Sequence, residues 1–175
     1  VPKWARAEMA LRGGADAVFE LPLPWAMAGA ERFALGGVFL LSQIGCTRLC
    51  FGSESGSAEA LSRTASLLLS PELSQRLKEE LRTGVSFASA RETAVRALAG
   101  EEAASLLRTP NDTLGVEYLK AARTLGVRLE PFPVRRVGAG HHDALPDGAF
   151  ASATAIRRLV RSGGNWEPFV PQKAA

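Results

Sequence analysis

The residues best suited to chemistry lie near the C-terminal end, in Ala151-Ser152-Ala153-Thr154-Ala155-Ile156-Arg157-Arg158. Ser152 or Thr154 makes a good N-cap, because a short side-chain oxygen accepts from the first free N–H groups of a helix. Ala155, Ile156 and Leu159 then start that helix. Arg157 and Arg158 are predicted in its first turn, where the macrodipole is positive and a carboxylate would be the comfortable choice. An anion held by hydroxyls, free amides and guanidinium groups removes the conflict, and phosphate fits that description. A capped surface helix that is merely rich in arginine is the simpler alternative.

Other polar clusters are weaker. His141-His142-Asp143 suggests a metal or acid–base group, but adjacent histidines point apart and no third ligand is evident. A polar turn is the favoured reading, and no metal site is expected. Glu20 and Glu54 each end a predicted strand and are read as caps of the following helix rather than as catalytic groups. Asn111, taken alone, is a helix cap. Cys46 and Cys50 lack a second pair or a suitably spaced histidine, which excludes a disulfide framework and a zinc site and predicts buried free thiols.

The chain of 175 residues is long enough for one domain with a real core, and 46% hydrophobic with 22% charged residues is globular composition. A net charge of +3 from 21 basic and 18 acidic residues is mild. Nearly all of the basic residues are arginine, a weak push toward a phosphate-bearing partner. No signal peptide or membrane-spanning run is evident, so a cytoplasmic protein is expected.

The elements that must position these residues follow from periodicity. Pro2 to Arg12 reads as a helix stopped by Gly13-Gly14. Ala15 to Leu21 reads as a strand buried on both faces, Trp25 to Ile44 as a helix closed by Gly45, and Thr47 to Phe51 as the next strand. Strand, helix, strand with short joints is a βαβ unit and implies an α/β fold with a parallel sheet. Residues from about 58 to 107 read as helical throughout, with Ser70-Pro71-Glu72 and Ser89-Ala90-Arg91-Glu92 as helix starts. Pro110-Asn111-Asp112-Thr113 opens a helix that stops at Gly126, and Val127 to Val134 is an edge or irregular strand because of Pro131 and Pro133. Val137 to Asp143 is predicted as a flexible loop. In such a sheet ligands bind beyond the carboxyl ends of the strands. That gathers the turns at Glu20, at Gly52-Ser53-Glu54, at the Arg135-to-Asp143 loop and at the Ser152 helix, with Asn111 joining if its helix points the same way.

The Ser-x-Thr-x-Ile-Arg pattern at Ser152, Thr154, Ile156 and Arg157 resembles the phosphate-binding motif of the HIGH-type nucleotidyltransferases. Further matches are Lys3-Trp4-Ala5-Arg6, Ala15-Asp16-Ala17-Val18-Phe19-Glu20-Leu21-Pro22, Phe51-Gly52-Ser53-Glu54, the stretch from Pro110 to Leu119, and Arg136 to Asp143. In that order, over residues 3–157, they resemble the bacterial tRNA(Met) cytidine acetate ligases. The resemblance implies a Rossmann-like nucleotidyltransferase domain of the HUP type over residues 1–162, with a helical insertion at about 58–107 and a linker or tail over 163–175. It implies a ligase that uses ATP and Mg²⁺ to activate acetate as acetyl-adenylate. The acetyl group then passes to N4 of the wobble cytidine of elongator tRNA(Met). Gly52, Asn111 and Arg136 would hold ATP, Ser152, Thr154 and Arg157 would cradle its phosphates, and Arg135, Arg158 and Arg161 would contact tRNA. Arg6 is a further candidate for a tRNA phosphate.

The family also begins with a strand and a His-x-Gly-His loop, which nothing in this sequence matches, and His141 stands where it more often has Tyr. The chain therefore reads as the interior of a longer protein, with the N-terminal strand missing. Two alternatives stay open: a small-molecule adenylyltransferase, and a non-catalytic nucleotide- or RNA-binding module. Residues 1–175 alone are expected to have little or no ligase activity. An acetate-dependent ATP–pyrophosphate exchange assay on this chain checks that, and turnover near the parent's rate would contradict it.

Overall fold

Two short strands, β1 (Arg48–Ser53) and β2 (Glu130–Arg135), pair in parallel with Arg48 opposite Glu130 and Ser53 opposite Arg135. The computed structural model describes residues 1–137 and 151–171. The chain divides into two compact units, Leu21–Arg136 and the combination of Val1–Glu20 with Val137–Ala175.

In the Leu21–Arg136 unit, α2 (Leu23–Ala26) and α3 (Ala30–Gln43) precede β1. The crossover from β1 to β2 runs through α4 (Ala58–Leu67), α5 (Pro71–Leu81), α6 (Phe87–Ser105) and α7 (Pro110–Thr124). Burial alternates along β1: Leu49 and Ser53 are buried and Phe51 half-buried, while Arg48, Cys50 and Gly52 are exposed. The covered face packs on Ala34 and Val38 of α3 and on Ala121 and Ala122 of α7. A second cluster joins Leu61 and Ala65 of α4 to Val116 and Leu119 of α7, with Phe51 shared between both clusters. A third joins Leu73 of α5 to Ala94 and Val95 of α6.

Local chemistry explains where these helices begin. Ser57, Ser70 and Ser86 accept from the amides of Ala60, Leu73 and Ser89 at 3.2, 3.1 and 3.2 Å, which satisfies otherwise orphaned donors. Small residues set the spacing between elements. A Cβ built on Gly115 would lie 2.5 Å from Cε2 of Phe51, so only glycine lets α7 close onto β1 there. In the other unit α1 (Lys3–Arg12) buries no side chain, and Lys3 pairs with Glu20 at 2.9 Å.

Several expectations from the sequence need correction. Ala15 to Leu21 is not a strand: residues 15–20 are exposed, and among the described residues no ladder partner supplies the N–H and C=O groups that a strand requires. The helix expected from Trp25 to Ile44 is broken, because α2 ends at Ala26 and Gly29 caps a new helix. The N-cap of α6 is Ser86 rather than Ser89. Cys50 is exposed by the alternation of β1, and Cys46 is only half-buried, so neither is the buried thiol expected.

Replacing Gly115 with Ala should lower stability by roughly 1–3 kcal/mol, the usual cost of overpacking. Urea denaturation measures the loss, and adding Phe51→Leu should recover part of it by removing the ring carbons that clash.

Candidate functional site

The turn leaving β1 and the first turn of α7 hold each other through two carboxylates. Asp112 is buried, 2% exposed, and takes the β1 side. Its Oδ1 accepts from the Ser53 hydroxyl, from the Glu54 amide at 3.1 Å and from the Ser55 hydroxyl at 3.1 Å. Its Oδ2 accepts from the Ser55 amide at 3.0 Å and the Thr109 hydroxyl at 3.3 Å. Glu54 reaches the other way, accepting from the amides of Asn111 and Asp112 at 3.3 and 2.9 Å and from Asn111 Nδ2 at 2.6 Å.

Glu54 thus supplies the anion that the exposed N–H groups and positive end of α7 favour. Burial pushes its carboxyl group up, but the hydrogen bonds from the Asn111 side chain and from the Asp112 and Asn111 amides together outweigh that and lower its pKa. Expectation and structure differ here in detail. Asn111 is not the cap: Thr109 occupies the N-cap position without a side-chain cap bond, and the capping group comes from Glu54. Glu54 is a cap as expected, but of α7 rather than of the helix that follows it.

This clamp orients the side chain of Asn111. With Nδ2 committed to Glu54, Oδ1 turns toward Gly52 and lies 3.6 Å from where a Cβ at that position would sit. Cγ of Arg136 lies 4.0 Å from the same point, and the Arg136 amide extends the ladder by donating to Ser53 O at 2.9 Å. Gly52, Asn111 and Arg136 are therefore brought together as expected. They offer open backbone, a fixed acceptor and a cation with no ion pair among the described residues. That set suits a polar ring edge linked to an anion. Arg135 lays its stem against Gly56, where a Cβ would come within 3.0 Å of the Arg135 Cβ; Gly56 adopts φ +68°.

Ser152, Thr154 and Arg157 belong to the other unit. There α8 (Ala153–Ser162) is capped by Ser152, whose Oγ accepts from the Ala155 amide at 3.0 Å. With Ser152 as the cap, Arg157 and Arg158 sit in the second turn, not the first, so their conflict with the macrodipole is weaker than the sequence suggests. Thr154, Arg157, Arg158, Arg161 and Ser162 line a shallow basin of about 440 Å³, and no ion pair engages these arginines among the described residues. The His141-His142-Asp143 turn and most of the expected 137–143 loop lie outside the described residues. No group of three His, Cys, Asp or Glu able to hold a metal ion occurs among the described residues.

Sequence reasoning missed Asp112, Ser53 and Ser55. Their signal was present in two short polar clusters, Ser53-Glu54-Ser55 between glycines and Asn111-Asp112 behind a helix-opening proline, each carrying one acid.

Glu54→Gln should cost about 1–2 kcal/mol, as the loss of a helix cap does. Because the folded carboxyl titrates below its unfolded value, its contribution is full above the unfolded pKa and fades as pH falls through the folded one. Urea midpoints from pH 7 downward should therefore fall less steeply for this variant in the acid range. Asp112→Ala, which orphans several buried donors, should cost more, roughly 3 kcal/mol or above.

Comparison with known proteins gives this geometry its context. A sequence model described as HIGH Nucleotidyl Transferase matches residues 1–175. The chain is 46% identical to the tRNA(Met) cytidine acetate ligase of Syntrophotalea carbinolica over 176 residues, covering 98% of this chain and 42% of that protein. With the protein of the same name from Bacillus subtilis it shares 39% identity over 183 residues, 100% of this chain and 44% of the relative. The crystal structure of apo Thermotoga maritima TmcAL superposes with a TM-score of 0.89 at 40% identity, covering 99% of this chain and 44% of that one. The form bound with alpha-thio ATP gives 0.87 at 38% identity, covering 99% and 42%. The chain thus spans 42–44% of the length of these curated relatives. It belongs to the HIGH nucleotidyl transferase family.

Proposed function

We propose that this chain is the ATP-binding part of an ATP-dependent acetate–tRNA ligase. An acetate oxygen attacks the α-phosphorus of ATP, the bond to pyrophosphate breaks, and acetyl-adenylate forms. The N4 amine of the wobble cytidine of elongator tRNA(Met) then attacks the acetyl carbonyl, loses a proton and releases AMP. The observation that carries this reading is the cluster of Gly52, Asn111 and Arg136, preassembled by the Glu54–Asp112 clamp in a chain 46% identical to a protein named for that activity.

Each residue does work that its chemistry allows. Gly52 leaves its backbone open to a nucleotide. Asn111 presents Oδ1 to a donor on the nucleotide ring, and Glu54 keeps it from rotating. Arg136 offsets negative charge on the phosphates. Ser152, Thr154 and Arg157 would bind phosphate through hydroxyl and guanidinium groups. Mg²⁺ enters only as a companion of the ATP phosphates, whose charge it shares. Exposed Arg135, Arg158 and Arg161 would meet tRNA phosphates, giving binding that weakens as salt rises. No helix among the described residues is long and apolar enough to cross a membrane, and a tRNA substrate would place the protein in the cytoplasm.

The test is ATP–pyrophosphate exchange by the full-length protein, followed by transfer of labelled acetyl to elongator tRNA(Met). Exchange should require acetate. A requirement for a phosphorylated metabolite instead would overturn the reading in favour of a small-molecule adenylyltransferase. Asn111→Ala and Arg136→Ala should each lower kcat/KM for ATP by about tenfold or more, the loss of one hydrogen bond to a charged or fixed group.

A further inference from the structure

Of the three residues gathered at Gly52, only Asn111 carries a group whose two ends differ. A side-chain amide turned over by half a rotation exchanges a donor for an acceptor in nearly the same volume. What the cluster offers a ligand therefore depends on what holds the other end of that amide.

In this chain a carboxylate holds it. Glu54 Oε1 lies 2.6 Å from Asn111 Nδ2. An ionised carboxylate only accepts, so it admits the amide nitrogen there and repels the amide oxygen. Burial raises the Glu54 carboxyl, but the bonds from the Asn111 side chain and from the amides of Asp112 and Asn111 lower it by more, which keeps it ionised. Nor is Glu54 able to swing aside. Its amide donates to Asp112 Oδ1 at 3.1 Å, and its Oε2 accepts from the Asp112 amide at 2.9 Å. Further along α7, buried Glu117 pairs with Arg91 at 2.6 Å and with Lys120 at 2.9 Å, which holds the helix about its axis. Asn111 Oδ1 is thus kept turned toward exposed Gly52, 3.6 Å from where a Cβ would sit.

A fixed acceptor sorts the parts of a nucleotide. Phosphate oxygens, which also accept, are repelled by it and belong with Arg136. A ribose hydroxyl rotates to meet either end of an amide and gains nothing from a fixed one. A base edge has no such freedom: the 6-amino group of adenine donates, and the 6-carbonyl of guanine or hypoxanthine accepts. Resting on the reading of this cluster as a nucleotide site, we infer that Glu54 selects the base. By holding Asn111 Oδ1 outward it makes the site take a 6-amino purine and reject a 6-carbonyl one. Glu54 acts through Asn111 and touches no substrate, so it is a positioning residue whose effect is read in specificity.

Calorimetric titration of the full-length protein with ATP and with inosine triphosphate (ITP) tests this, because the two share ribose and phosphates and differ at the 6-position. ITP should bind at least about tenfold more weakly, since an acceptor would face an acceptor where ATP makes a hydrogen bond. Asn111→Ala should weaken ATP and bring the two nucleotides to within about twofold of each other. In Glu54→Gln the shorter backbone bond, from the Asp112 amide, keeps the new carbonyl where Oε2 was. That leaves the new amide nitrogen opposite Asn111 and turns the Asn111 amide over. The ATP-to-ITP affinity ratio of this variant should fall about tenfold or more, whereas a merely loosened fold would weaken both nucleotides alike. Combining Glu54→Gln with Asn111→Asp re-forms the bond with donor and acceptor exchanged. An oxygen again faces Gly52, so the preference for ATP should return. Equal binding of ATP and ITP by the unaltered protein would overturn the inference. So would a Glu54→Gln variant that keeps the original ratio, or a double variant that fails to restore it. If Asn111→Ala leaves ATP binding unchanged, the reading of the cluster as a nucleotide site fails too.

Discussion

Glu54 and Asp112 each satisfy the backbone that the other's segment leaves open. Glu54 caps the start of α7, while Asp112 collects the amides and hydroxyls of the turn after β1. Within one helix the capping box performs this exchange between neighbouring residues. Here it runs between segments 57–59 residues apart, so it is tertiary structure as well as local chemistry. The cluster of Gly52, Asn111 and Arg136 is referenced to it. Asn111 has its orientation because Glu54 holds one side of its amide, Gly52 has its neighbour because the turn is pinned, and Arg136 follows through the ladder to Ser53.

α7 then carries that reference through the unit. Its small buried residues, Gly115, Ala121 and Ala122, let it sit close to β1 and α3, and Val116 and Leu119 anchor α4. Glu117 and Lys120 lie on the same rod, about 9–14 Å along the axis from Asn111 at the helical rise. A buried carboxylate ringed by cations is a weak source of stability, because desolvation offsets most of the attraction, but removing one partner is expensive. Its position on the helix that bears Asn111 means that α7 cannot rotate about its axis without also breaking these ion pairs.

Much of this arrangement was legible in the residues. Ser70-Pro71-Glu72 marks the start of α5, Gly126 marks the end of α7, and the prolines of β2 mark a strand of limited pairing. Two of the readings that failed share a cause, which is dependence on distant groups. Ala15 to Leu21 has the composition of a buried strand, but a strand exists only with a ladder beside it. The start of α7 looks self-capped by Asn111 because the true cap lies far upstream. In α8 two hydroxyl residues two positions apart compete as cap, and choosing Ser152 moves both arginines about half a turn along the helix. Local periodicity carries helices well; it carries long-range capping poorly.

The separation between partners has a kinetic consequence. Arg48 of β1 meets Glu130 of β2 across 82 residues, and the turn at Ser53 meets Asp112 across 59. Long-range pairings of this kind form slowly, because loop-closure entropy must be overcome before the contacts repay it. On the ribosome β1 emerges well before α7 does. Until Asp112 arrives, the turn is held only by its local bonds, the Ser53–Ser55 hydroxyl pair and the Gly56 amide donating to Ser53 Oγ at 2.8 Å. The Gly52–Asn111–Arg136 cluster is therefore a late product of folding in this unit, assembled only after the intervening helices have shortened the path between its halves.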